Sequence, residues 1–311
     1  MSLTADTTLA LPAETPFEFS RSVSFLDRSA PCADGQVRRG ELVTGGFAPE
    51  PFVAHLAPDG PDMVRVHVDW LADPGEGSAV ADRVDSFLSL SDDPTPLYEA
   101  AADDEVFAPV ASELRGYHHV RFPTPFEAAC WAALSRRTPA HVAAERRDSL
   151  ARELGRVVVV DGAEVSLFPR PRTVRANPDA VRTAVEDTPA GRRTRSADAP
   201  DRDREGGSEA LLAAAELFAE SDLRELGTDD LRERLESVRG FGPRSAAFVA
   251  FRGFGRASVL PTTEAHLRAV GEAYGVENPS EETVRHLAKP YGEHRGYWAH
   301  YLRVWDLLGD G

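Results

Sequence analysis

The sequence predicts an α+β chain, with an antiparallel β-sheet and a covering helix over residues 17–115 and an all-helical region over residues 116–311. Three observations carry this. Residues 63–70, MVRVHVDW, alternate apolar and polar side chains strictly, as a half-buried strand does. Turn-formers, Gly45-Gly46 and Asp59-Gly60-Pro61, punctuate the stretch before it. Further on, Leu231, Leu235 and Val238 recur at helical spacing before Gly240-Phe241-Gly242-Pro243 breaks the run and a second helix begins.

Residues 1–16 have no basic stretch and no long apolar core, so they read as a disordered lead rather than a signal peptide. Phe17 and Phe19, then Val23 and Phe25, alternate and predict a first strand. A turn over Pro31 to Gly35 follows, then strands over 36–43 and 52–56. Arg38 and Arg39 suit either the charged edge of a sheet or phosphate contacts. Ala79 to Leu88 predicts a helix with Val80, Val84, Phe87 and Leu88 on one face, covering one side of the sheet. Short helices are expected at Leu97–Glu99 and Val106–Leu114.

Thr124, Pro125 and Glu127 mark a strong helix start, with a hydroxyl cap, a proline at the first position and an acid at the third. That helix ends at Arg136 and Arg137. Residues 156–208 form an inserted unit: a hairpin over 157–167 turning at Asp161-Gly162, then a mobile Arg-, Asp-, Pro- and Gly-rich loop from Asp187 to Gly207. A helix resumes at Glu209, and another is expected at Glu281–Leu287. Near the end, Trp298, Tyr301, Leu302 and Trp305 share a helical face and read as core.

Two cysteines, Cys32 and Cys130, are too few for a four-cysteine iron–sulfur cluster. No run of 18 apolar residues is present. The expectation is a cytoplasmic protein without cofactor, membrane span or iron–sulfur cluster. The net charge of −16 argues against a nucleic-acid partner at first sight. Every basic residue except Lys289 is arginine, however, and an acid-rich, lysine-poor composition resembles that of proteins from salt-loving cells. There the acids keep the surface hydrated. At molar salt the screening length falls to about 3 Å, so counterion release drives little binding.

The decisive stretch is residues 231–268, LRERLESVRGFGPRSAAFVAFRGFGRASVLPTTEAHLR. Gly240 suits a left-handed helix end and Pro243 the start of the next helix. The amides of Phe241, Gly242 and Arg244, with Ser245 beside them, are expected to point outward at a helix N-terminus, a place for phosphate. Leu-x4-Gly-x-Gly-x3-Ala resembles the helix-hairpin-helix of the HhH-GPD base-excision DNA glycosylases. The segment Leu260-Pro-Thr-Thr-Glu264-Ala-His-Leu-Arg268 resembles the Pro-x-x-Asp-x-x-Leu-Arg segment that carries that superfamily's catalytic aspartate. Ala250-Phe251-Arg252-Gly253, the strand-rich opening and the aromatic ending resemble the AlkA-type, 3-methyladenine branch.

The resemblance implies a TBP-like N-terminal sheet domain followed by a glycosylase domain, acting as a monomer on damaged bases in double-stranded DNA. It implies that Gly240, Phe241, Gly242, Arg244 and Ser245 grip the backbone, with hairpin carbonyls holding a monovalent cation when DNA is bound and no metal held by side chains. Arg136 and Arg137 fall where relatives insert a side chain into the gap left by an extruded base; the other reading is cations on a helix C-terminus. Phe248 and Tyr291 fall at base-pocket positions, with plain core as the alternative for Phe248. Glu264 replaces the aspartate on an arm one methylene longer, and an ångström of misplacement can cost about a hundredfold in rate. Arg244 stands where bifunctional relatives carry a Schiff-base lysine, and arginine stays protonated, so the implied enzyme is monofunctional. His266, two residues past Glu264, reads as structural, because that spacing turns it away. The alternatives are a non-catalytic damaged-DNA-binding protein and a glycosylase for another base.

Overall fold

The computed structural model describes residues 6–29, 36–38, 40–186, 188 and 201–309. Five strands form one antiparallel sheet in the order β1-β5-β4-β3-β2: β1 (Asp6–Pro12), β2 (Val37–Arg38), β3 (Glu41–Ala48), β4 (Glu50–Pro58) and β5 (Met63–Trp70). The lead expected to be disordered therefore supplies an edge strand, with Leu9 opposite Val66. Its short alternation, LAL, is too brief to stand out, and the ladder of β5 is what orders it.

The segment expected to open the sheet is instead helix α1 (Phe19–Arg28). Phe19, Ser22, Phe25 and Leu26 are its buried residues, a 3-3-1 spacing that places them on one helical face. The Phe17/Phe19 and Val23/Phe25 alternation was a coincidence of that spacing. Gly45-Gly46, expected as a turn, lies inside β3, paired with Val53 and Phe52. A Cβ at Gly45 would come within 2.7 Å of Leu167 Cδ1. The glycine is there because the hairpin of β6 (Arg156–Val160) and β7 (Ala163–Leu167) presses on the sheet's outer side. Val43, Val53, Val165 and Leu167 form a small core between them, so the sheet is covered on both faces rather than one. Arg38 does stand on the edge strand β2, where its guanidinium donates to Val160 O at 3.1 Å and Glu164 O at 3.0 Å and ties the hairpin down.

Helix α2 (Gly77–Leu88) covers the inner face as expected, with Val80, Val84, Phe87 and Leu88 buried. Then come α3 (Thr95–Ala101), α4 (Phe107–Glu113), α5 (Pro125–Leu134), α6 (Ala140–Leu154), α7 (Pro171–Ala176) and α8 (Pro178–Glu186). Helix α9 (Asp201–Glu220) begins before Glu209, its expected start, while most of the expected mobile loop, with Arg192, Arg193 and Arg195, lies outside the described residues, as do Cys32 and Arg39. The chain closes with α10 (Thr228–Glu236), α11 (Pro243–Arg252), α12 (Glu264–Tyr274), α13 (Glu281–Leu287), a 3-10 turn (Lys289–His294) and α14 (Arg295–Gly309). One continuous core runs from the sheet through Phe25 and Tyr117 to Trp298 and Leu302 of α14.

Candidate nucleic-acid interface and active site

Helices α10 and α11 make the expected hairpin. Helix α10 is capped at Ser237 rather than at Gly240, which takes the left-handed φ of 91° in the turn that follows, and Pro243 opens α11. Gly242 caps α11 without a side chain, and nothing would touch a Cβ there. The first-turn amides of Arg244 and Ser245 therefore face solvent with no capping oxygen, which leaves an anion-binding helix end. Phe241 departs from expectation: its amide donates to Val238 O at 2.9 Å, closing the turn, so it is not open to phosphate.

The end of α5 meets this hairpin. A Cβ at Gly240 would lie 2.7 Å from Arg136 Nη1 and 3.0 Å from Ala210 Cβ. Arg136 is exposed beside the Gly240 turn, and its neighbour Arg137 turns the chain with φ 50°. Arg244 points its guanidinium at Glu281 on α13, Nε to Oε1 at 2.6 Å, an exposed pair. A carboxylate thus already occupies the cation expected to meet a phosphate.

Glu264 opens α12 as its first residue, after Thr263. It is exposed and joins no hydrogen bond or salt bridge among the described residues. Arg268, one turn on, pairs with Asp306 at 2.8 Å and Glu272 at 3.9 Å, and Arg252 lies over the Phe25 and Phe122 rings. The carboxylate is left at the N-terminus of α12.

The two expected pocket aromatics are not brought together. Phe248 is half-buried and meets Phe122 edge-on at 5.9 Å. Tyr291 is a correction: it is 3% exposed, stacks on Trp298 at 5.5 Å, and donates its hydroxyl to Asp104 at 2.8 Å. A ring so enclosed is core and does not line an opening. Burial and the Asp104 carboxylate push its phenol up.

Below the N-terminus of α12 lies a buried polar group of which the sequence singled out only His266, as a structural residue. His266 is 5% exposed, with Nδ1 2.6 Å from Thr263 Oγ1. Its ring is 6.3 Å from that of His300, which in turn is 4.6 Å from His119. His119 stacks on Phe251 at 4.1 Å, and neither of its ring nitrogens has a hydrogen-bond partner. Burial pushes His266 down to about 3 and holds His119 and His300 well below the ordinary imidazole range. All three are therefore neutral at neutral pH. No periodicity marks them, because three separate chain segments supply them. Among the described residues no group of three or more His, Cys, Asp or Glu side chains is placed to hold a metal ion, and no helix is long and apolar enough to cross a membrane.

No family model matches the chain. It is 23% identical over 236 residues, 72% of this chain and 71% of the other, to a DNA-3-methyladenine glycosylase of Bacillus subtilis. Its structure is similar to a 3-methyladenine DNA-glycosylase from Archaeoglobus fulgidus, with a TM-score of 0.77 at 19% identity over 96% of this chain and 98% of that one. It is also similar to a Clostridium acetobutylicum 8-oxoguanine glycosylase/lyase in complex with double-stranded DNA, with a TM-score of 0.69 at 13% identity over the whole of both chains. The sheet, the Gly240 hairpin and the carboxylate-headed helix after it thus stand together in one arrangement, and the chain has the fold of the helix-hairpin-helix base-excision DNA glycosylases.

Proposed function

We propose that the protein is a monofunctional DNA glycosylase that extrudes an alkylated purine of the 3-methyladenine type from duplex DNA and hydrolyses its glycosidic bond, acting as a monomer. The observation that carries this is Glu264, an unpaired carboxylate at the head of α12, directly after a hairpin whose helix end is open to phosphate. Backbone amides of Arg244 and Ser245 hold a phosphate, and Arg136 beside Gly240 reaches toward the duplex. Extrusion costs a few kcal/mol and is least for a damaged base. Glu264 then stabilises the positive charge developing on the sugar and orients the attacking water. An alkylated purine already carries positive charge, so no strong general acid is required. Half-buried Phe248 supplies an aromatic face for it. Arg244 cannot form a Schiff base, so strand cleavage does not follow.

The likeness to an 8-oxoguanine glycosylase/lyase over the whole chain supports a second base specificity on the same site. One experiment separates the readings. The protein is incubated in high salt with methylated duplex and with duplex carrying 8-oxoguanine, and released bases are measured by mass spectrometry beside Glu264→Gln. Release of 3-methyladenine or 7-methylguanine that disappears in the variant is the expected outcome. Release of 8-oxoguanine alone moves the assignment to oxidised purines. Duplex binding with no release of either base leaves a non-catalytic DNA-binding protein.

A further inference from the structure

A cavity of about 480 Å³ lies at the end of α5 opposite the hairpin. Helix α5 has 10 residues, or about 15 Å at 1.5 Å per residue. Its C-terminal end reaches Arg136 and Gly240, while Thr124 to Glu127 at its N-terminal end face the cavity. Helix α11 runs back beside it, since a Cβ at Gly253 would lie 3.1 Å from Pro125 Cα. The cavity is therefore about a helix length from the phosphate-binding turn.

Its walls are aromatic. Phe218 stacks with Phe254 at 6.1 Å and meets Phe126 at 5.7 Å. Arg170 lies over Phe47 at 4.6 Å. Its lining carries four arginines, Arg83, Arg170, Arg172 and Arg224, against the acids Glu127, Glu220 and Asp222, of which Glu220 is taken by Arg175 at 2.6 Å. A Cβ at Gly46 would be 2.9 Å from Arg83 Nη1, so the glycine is what gives that guanidinium its room. Among the described residues, neither Arg83 nor Arg224 makes a salt bridge, and Arg170 reaches only Pro49 O at 3.5 Å. Glu127, the acid whose charge acts on Arg83, is 6% exposed, accepts from Thr124 Oγ1 at 3.2 Å and lies 3.7 Å from Arg147. Burial pushes it up to about 7, so near neutral pH it offsets only part of the positive charge. Arg83, half-buried while Arg170, Arg172 and Arg224 are exposed, is thus a cation drawn out of water with only part of a counter-charge, which is unfavourable without a further anion.

We propose that this cavity binds a small planar anion, an aromatic ring bearing a phosphate as in a free nucleoside monophosphate, with the ring against Phe218 and Phe126 and the phosphate on Arg83. Arg170 and Arg224 at the mouth draw the anion in. The volume falls within the range of small-molecule sites, roughly 300–1,000 Å³. Nothing in this site is used by the proposed base-excision chemistry.

The test is calorimetric titration of the full chain with deoxyadenosine monophosphate, with potassium glutamate replacing chloride so that chloride does not compete. The expected result is one nucleotide bound per chain. Deoxyadenosine and inorganic phosphate should each bind at least about tenfold more weakly, as loss of one charged or stacked contact implies. Arg83→Gln should weaken the nucleotide by a similar factor, with circular dichroism confirming its fold. Phe218→Leu should weaken the nucleotide but not phosphate. Arg136→Ala, at the hairpin, should leave binding unchanged. The proposal is overturned if the nucleotide binds no tighter than phosphate alone, if a folded Arg83→Gln binds it equally, or if Arg136→Ala abolishes it.

Discussion

The guanidinium of Arg136 rests on the backbone of Gly240, so closely that a methyl group there would sit 2.7 Å from Nη1. This contact docks the end of α5 onto the hairpin turn. It needs both a glycine φ of 91° and the missing side chain. Gly240→Ala is expected to cost roughly 1–3 kcal/mol, from the left-handed backbone and the approach to Ala210, and to weaken duplex binding. Urea unfolding and fluorescence anisotropy measure the two effects. Unchanged stability would mean that the turn relaxes and the contact is incidental.

On the proposed function, Glu281 competes with DNA for Arg244. The pair is exposed, 64% and 34% for the two side chains, so Glu281→Gln should change stability by less than about 1 kcal/mol. It should nonetheless tighten duplex binding severalfold and raise the salt slope by about one ion, because Arg244 becomes free to meet a phosphate. An affinity that falls, or a slope that does not move, would place Arg244 off the DNA path.

The three buried histidines set an acid limit. Their folded pKa values lie below the unfolded value of about 6.5. Their stabilising effect is thus complete above about pH 6.5 and is lost as pH falls toward the folded values. Glu127 acts in the opposite direction between about 4.5 and 7. With three histidines against one carboxylate, the slope of stability with pH is positive below about pH 6. His119→Leu removes a ring with two unpartnered nitrogens and should lower that slope by about 1.4 kcal/mol per unit. Chemical unfolding across the pH range gives the slope, and an identical slope in the variant would show that His119 is hydrated in the folded state.

Glu127 is read from the other side. Its folded value of about 7 is raised above the unfolded 4.5, so the stability it contributes is present below pH 4.5 and lost as pH rises through 7. Relative to the native chain, Glu127→Gln should gain up to about 3 kcal/mol on going from pH 4.5 to 8. A constant difference between the two chains across that range would mean that the Arg83 charge holds the carboxylate ionised throughout.

Much of the architecture was legible because its signals are local. The strict alternation of residues 63–70 became β5, and the Thr124 cap accepts a hydrogen bond from the Glu127 amide through its Oγ1 at 3.1 Å. Asp161-Gly162 turned the hairpin with both residues at positive φ. Where local signals were short or shared by two periods, they misled. Phe17 to Phe25 satisfied a period of two as well as a helical face, and packing on α14 chose the helix. Gly45-Gly46 reads as a turn in any isolated stretch. Only the approach of Leu167, more than a hundred residues on, explains why glycine belongs in mid-strand.

By itself, the sequence determined the strand and helix periods, the Gly240 turn and the carboxylate at position 264, because each depends on backbone preferences over a few residues. The tertiary structure decided which charges meet and which rings are enclosed. It paired Arg244 with Glu281 across 37 positions, closed Tyr291 into the core against Asp104, and gathered His119, His266 and His300 from three segments. Burial and pairing are set by what the folded chain brings alongside, and that depends on contacts with no local signature.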